Sequence, residues 1–155
     1  MRRASMLSVL PLLLPTFLSA QSHPLVGTWS LQLPAGVRVE NGMSMPILAK
    51  GSLVFSAVGD SIIGTLTVEP PDGAPARPPA RLAAKAAAGP LAFTQRSTAR
   101  INVNGDESTR NVTSTFTLQA SGDTLKGTVV REVEGMDDAM GGPQAVSGTR
   151  VKPAG

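Results

Sequence analysis

The sequence predicts an all-β fold: an antiparallel up-and-down meander of about eight or nine strands closing into a barrel, with a two-sheet β-sandwich as the structural alternative. Three features of the 155-residue chain lead there. Apolar and polar residues alternate with a period of two over most of its length, as they do in a sheet with one dry and one wet face. Gly, Asn, Asp and Pro interrupt that alternation at short intervals. One hairpin-shaped segment also occurs twice: Ser52 to Glu69 and Thr115 to Glu132 align without gaps 63 residues apart, identical at six of eighteen positions. Each copy is an alternating run, a Gly-Asp pair that supplies the backbone angles of a tight turn, and a second run through Gly-Thr.

Taken in order, the first strand spans 25–33, where Leu25, Gly27, Trp29, Leu31 and Leu33 alternate with Val26, Thr28, Ser30 and Gln32. A short strand follows at 37–41. The first copy of the repeat supplies strands at 46–57 and 61–69. Glu69 to Ala80 holds five Pro and reads as a stiff exposed connection. Ala80 to Ala88 is Ala-rich and so favours helix by propensity. It is short, lies between Pro79 and Pro90, and sets Leu82, Ala84 and Ala86 on one face, so a strand at 80–86 is expected. Leu91, Phe93, Ala99, Ile101 and Val103 share a face of a strand at 91–103, and a turn at Asn104-Gly105-Asp106-Glu107 leads into a strand at 108–120. The second copy continues with a strand at 124–133, in which Leu125 and Val129 face the same way as Phe116, Leu118 and Ala120. After a Gly-rich loop at 134–144, a last strand is expected at 145–152.

The first twenty residues read as a secretory signal peptide: basic Arg2 and Arg3, an apolar stretch from Met6 to Leu18 interrupted by Pro11 and Pro15, and Leu18-Ser19-Ala20 ahead of polar Gln21. A membrane span needs about 20 predominantly apolar residues, so this stretch is too short to be a good anchor. Cleavage near Ala20 leaves a single β-barrel domain at 21–155, secreted or periplasmic, with no membrane span. With Arg2 and Arg3 removed, the formal charge of +3 falls to +1, 12 basic residues against 11 acidic. The basic residues are scattered and aromatic residues are few, whereas nucleic-acid binders combine a basic face with stacking aromatics, so nucleic acid is not expected as a partner.

Val26-Gly27-Thr28-Trp29 at the start and Val146-Ser147-Gly148-Thr149-Arg150 at the end resemble the lipocalin and calycin arrangement. There a Gly-x-Trp motif opens the first strand, and a basic residue near the last strand packs over the Trp to close one end of the barrel. By pattern, residues 24–152 resemble the small secreted bacterial lipocalin-like β-barrel domains. The resemblance implies that Gly27, Trp29 and Arg150 form a structural closure, with the guanidinium over the indole as a cation–π contact. The chain departs from typical lipocalins in lacking an evident helix after the barrel, disulfides and the Asp-Tyr motif. No specific ligand is therefore carried over.

The chemistry available is narrow. There is no Cys and one His, which excludes thiol catalysis, disulfides, Cys-based metal sites and a His–His metal pair. No nucleophile elbow, dinucleotide fingerprint or phosphate loop occurs. Adjacent Asp137 and Asp138 point apart in an extended segment and cannot form a carboxylate dyad. Asp60 and Asp123 occupy equivalent turn positions and are read as turn formers. His23 in Gln21-Ser22-His23 has the spacing of an amino-terminal Cu(II) or Ni(II) site if cleavage follows Ala20. Met43, Met45, Met136 and Met140 are soft groups with a gap-filling role as the simpler reading. Neither a metal nor a cofactor is expected.

A non-enzymatic protein follows, one that binds a small apolar molecule in the barrel or serves as an envelope accessory domain. The inward-facing candidates for such binding are Trp29 and Leu31, Leu53 and Phe55, Ile62 and Leu66, Leu91, Phe93 and Ile101, Phe116 and Leu118, and Leu125 and Val129. The alternative is a protein-interaction module using the Pro-rich loop 70–79 and the loop 134–144.

Overall fold

Period-two alternation becomes eight antiparallel strands in the computed structural model, which describes residues 22–40, 43–70, 76–103, 106–136 and 142–153. These are β1 (Gly27–Glu40), β2 (Met43–Val58), β3 (Ser61–Val68), β4 (Ala80–Lys85), β5 (Leu91–Val103), β6 (Asp106–Ser121), β7 (Thr124–Val133) and β8 (Gln144–Arg150). They form one sheet in the order β4-β3-β2-β1-β8-β7-β6-β5. Every strand pairs with its sequence neighbour except β4 with β5, and β1 pairs with β8, so the meander curls into a barrel that is hydrogen-bonded all round but for one seam. It is a single sheet rather than a sandwich, and no helix occurs among the described residues.

Two local outcomes refine the sequence reading. The strands expected at 25–33 and 37–41 are one strand, β1, whose pairing with β2 slips by one residue between Pro34 and Gly36. Pro34 has no N–H for the ladder, and a bulge at Ala35 absorbs the break without ending the strand. The Ala-rich segment is strand β4: the prolines at 79 and 90 confine it, and Leu82 packs fully into the core, so burial overrides helix propensity.

The repeat extends to the whole barrel. Each strand of the first half corresponds to the strand four places on, and register pairs map onto register pairs. Phe55 opposite Gly64 matches Leu118 opposite Gly127, and Trp29 opposite Leu53 matches Phe93 opposite Phe116. Even a turn bond repeats: the Ala86 N–H donates to the Asp60 carbonyl at 2.8 Å, and the Arg150 N–H to the Asp123 carbonyl at 2.9 Å. Four strands in eight is a half turn, so corresponding residues stand at the same height on opposite walls. The Gly-Asp turns hold Gly59 and Gly122 at φ of 60° and 59°, as two-residue hairpins require. Gly64 and Gly127 are small because Phe55 and Leu118 fold over them.

The barrel interior is a continuous apolar core, from Leu25, Trp29 and Phe55 through Leu53, Phe93, Phe116 and Leu118 to Leu66, Val129 and Val146. Phe55 and Phe93 meet across it with ring centroids 5.0 Å apart. Two long hairpins leave the barrel at one end. Beyond Gln32 and Gly51, β1 and β2 pair only with each other, as do β5 and β6 beyond Ser97 and Val112. At about 3.3 Å per residue the first ribbon extends roughly 25 Å.

Candidate functional site

The two ends of the barrel differ. The end where β1 starts and β8 finishes is sealed. The segment before β1 turns Leu25 into the barrel, where it is fully buried, and the Trp29 indole N–H donates to its carbonyl at 2.8 Å. Arg150 lies over Trp29 with its guanidinium carbon 4.2 Å from the ring centroid. The same guanidinium donates to the carbonyls of Val26 at 2.7 Å and Pro24 at 2.8 Å and pairs with Asp123 at 3.5 Å. Gly27 sits at φ 131°, and a side chain there would begin 2.5 Å from Arg150 Nη1, so the glycine is what lets the arginine lie down. Gly27, Trp29 and Arg150 thus form one contact group. His23 belongs to this seal: its Nδ1 accepts from the Leu25 N–H at 3.2 Å and its Nε2 lies 3.0 Å from the Ala87 carbonyl.

The candidate interior residues pack on one another. Trp29, Leu31, Leu53, Phe55, Ile62, Leu66, Leu91, Phe93, Phe116, Leu118, Leu125 and Val129 are all buried. Ile101 lies on β5, and its side chain is outside the described set. Core residues absent from that group are Leu25, Leu33, Leu82 and Val146, together with Val112 and Val133 toward the open end. Two concavities among the described residues are open grooves on the surface. One, of about 910 Å³, runs past Arg96, Thr113, Glu132 and Glu134 and touches Val112 and Val133. The other, of about 330 Å³, lies over Gln119, Ser121, Thr124 and Lys126.

The strands joined by the connections β1–β2, β3–β4, β5–β6 and β7–β8 all leave the barrel toward the open end. Residues 71–75 and 137–141 of the loops 70–79 and 134–144, with Asp137, Asp138 and Met140, lie outside the described residues. On the first ribbon Ile47 and Leu48 are exposed, Leu48 at 57%. The side chains of Met43 and Met45 are outside the described set, and Met136 is exposed. No group of three or more His, Asp or Glu that could hold a metal occurs among the described residues.

The charged side chain of Arg131 points into this mouth. Arg131 has the inward parity of Leu125, Val129 and Val133 on β7. It donates to Gln144 Oε1 at 2.9 Å and to the Pro34 carbonyl at 2.8 Å, tying β7 to the start of β8 and the bulge of β1. Burial pushes its guanidinium below the usual arginine range, and the positive charge of Arg77 pushes the same way. Sequence reasoning passed over this residue because it took the basic residues together, as scattered rather than clustered. Counting by two from Leu125 was the available signal.

No family model, curated protein or solved structure matches the chain. What is established is the architecture: an all-strand, antiparallel, up-and-down, nearly closed barrel.

Proposed function

We propose that the protein is a secreted or periplasmic, non-enzymatic, lipocalin-like module that binds a protein partner across the open end of its barrel. The observation that carries this reading is the filled interior. Ligand sites that enclose a small molecule occupy roughly 300–1,000 Å³ of concave, sheltered space, whereas here core side chains occupy the barrel from Leu25 to Val146. Adjacent exposed apolar residues, Ile47 and Leu48, lie on a ribbon at the end from which the Pro-rich connection 70–79 and the loop 134–144 also depart, while Val54, Val58 and Val151 are exposed singly elsewhere. Exposed apolar residues framed by polar loops are a common makeup of partner-binding surfaces.

The test is site-specific photo-crosslinking in the native host. A photoreactive residue at Arg77 or Leu48 is expected to trap the same partner, and one at Ser56 or Asp123, on the wall and at the sealed end, to trap none. Deleting 70–79 is expected to abolish the adduct at Leu48. Equal adducts from both ends would overturn the proposal.

A further inference from the structure

The charges of the chain are segregated along its length. Residues 73–105 hold five basic residues, Arg77, Arg81, Lys85, Arg96 and Arg100, and no acidic one, whereas the rest of 21–155 holds seven basic and eleven acidic. The fold gathers this basic run at the seam. Arg81 and Lys85 lie on β4 and Arg96 and Arg100 on β5, all exposed and all of outward parity, opposite to that of Leu82 and Phe93. Carried over by the half-turn correspondence, the β1–β8 register sets Lys85 level with Thr94 and Arg81 level with Thr98. Up the seam a cation then comes at every second residue, from alternate sides: Lys85, Arg96, Arg81, Arg100. At about 3.3 Å per residue each step is roughly 7 Å, the spacing of side chains along one face of a strand.

The seam is also where backbone is left unpaired. β4 is laddered to β3 alone and β5 to β6 alone, so the edges they turn toward each other carry N–H and C=O groups with no ladder partner among the described residues. With 13 residues against 6, β5 outruns β4, and Pro78 and Pro79 have no N–H with which the chain ahead of β4 could pair to the remainder. Lysine and arginine on a sheet edge keep a second copy of that edge away. A guard needs few such charges; here they occupy both edges, and only Lys85 has a carboxylate near it among the described residues, Asp60 at 3.8 Å. Charges that repel a second copy attract a chain of opposite sign, and the open ladder gives such a chain groups to bond. Every aromatic ring among the described residues is buried, so nucleobases find nothing to stack on beside this strip.

We propose that the seam-side edge of β5 takes an acidic, extended segment of a partner protein as an added strand. The segment's backbone ladders onto β5, and its outward carboxylates meet Arg96 and Arg100 on that strand and Arg81 across the seam. This inference does not rest on the rim reading above: it concerns the wall and the β5–β6 ribbon, and its test leaves Ile47, Leu48 and Arg77 unchanged.

The probe is a capped peptide of alternating Glu and Thr, about ten residues long to match β5, titrated into the purified chain at low salt. Saturable binding is expected, weakened about tenfold or more in molar salt, with slowed hydrogen exchange at alternate β5 amides, those turned away from β6. Replacing each Thr of the peptide by Pro keeps its charge, removes half its N–H groups and is expected to weaken it about tenfold or more. Arg96→Gln combined with Arg100→Gln is expected to do the same, and Arg81→Gln to cost less; all three side chains are exposed, so the thermal midpoint is expected to stay that of the parent. No saturation at millimolar peptide, or a folded double variant that binds as the parent does, would overturn the site. Equal binding of the Pro-containing peptide would show attraction without strand addition and overturn the proposal. Two further results would also overturn it: phosphatidylglycerol vesicles that retain the chain undisturbed by the peptide, and a dimer, free of peptide, that the double variant dissolves.

Discussion

Replacing Arg150 with methionine is expected to unlatch the sealed end while leaving the sheet intact. The side chain is partly sheltered, 27% exposed, and its guanidinium does three things at once. Its position 4.2 Å from the Trp29 centroid contributes about 0.5–2 kcal/mol, toward the upper part of that range because Trp29 is fully buried. The bonds to the Val26 and Pro24 carbonyls are charge-assisted, a class worth about 1.5–3 kcal/mol each, reduced here because water reaches both carbonyls once the arginine is gone. The pair with Asp123 is discounted to a few tenths of a kcal/mol, since that carboxylate is 59% exposed. These terms share one group and do not add; together they amount to about 2–4 kcal/mol. For a domain of this size that lowers the thermal midpoint by roughly 6–15 °C. Urea unfolding followed by Trp29 emission measures it, with a red shift in the native baseline as water reaches the indole. Lys152→Ala is the control: it loses a 3.3 Å pair with the same aspartate from a 78% exposed side chain and is expected to change stability by less than about 0.5 kcal/mol. A loss below about 0.5 kcal/mol in Arg150→Met, with emission unchanged, would show that the end is held by Leu25 and the backbone alone.

Gly27→Ala puts a methyl group where Arg150 Nη1 lies and strains a backbone at φ 131°, so a loss of about 2–3 kcal/mol is expected, readable by the same unfolding assay and smaller in the Arg150→Met background, where only the backbone strain remains. Leu25→Ala empties a fully buried position at the seal and is expected to cost about 2–4 kcal/mol, with faster proteolysis of the amino-terminal segment. Between the two repeat glycines, Gly127→Ala is expected to destabilise more than Gly64→Ala by chemical denaturation, because its Cβ meets the Thr117 backbone carbonyl whereas that of Gly64 meets the Phe55 ring, 2.5 Å away but able to turn. Arg131→Met is expected to change stability by less than about 1 kcal/mol, relief from burying the charge offsetting two lost bonds. The folded guanidinium is shifted downward, so its charged form is penalised on folding at every pH where it is protonated. That penalty lifts only as pH rises through the lowered value in strongly alkaline solution, so the difference between variant and parent is expected to be flat across neutral pH.

The barrel was legible because its signals are local. Gly59-Asp60 and Gly122-Asp123 each fix a two-residue turn, and parity then assigns Leu53, Phe55, Phe116 and Leu118 to one face without knowledge of the rest. Local signals misjudge Pro34, where a missing N–H looks like a strand end, because a bulge at Ala35 lets β1 go on pairing with β2, a partner the local sequence does not reveal. Alternation puts Leu25 on the face of Trp29 and Leu31, yet the interior group omits it; it is fully buried and reaches the core from ahead of β1. The closure of Gly27, Trp29 and Arg150 joins residues more than a hundred positions apart and rested on resemblance alone. The sequence reading does not single out Arg131, although its parity with Leu125 and Val129 points inward. Only the identity of its acceptors shows how an inward arginine is accommodated.

The seam between β4 and β5 gives the barrel the mechanics of a slit collar. The short connection through 86–90 pins the two lips together at the sealed end, while no backbone ladder joins them above it. A fully laddered barrel has a circumference fixed by its strand number and stagger. Here the slit can spread from the top with only side-chain contacts to part, so the mouth can change its girth while the sealed base keeps its own.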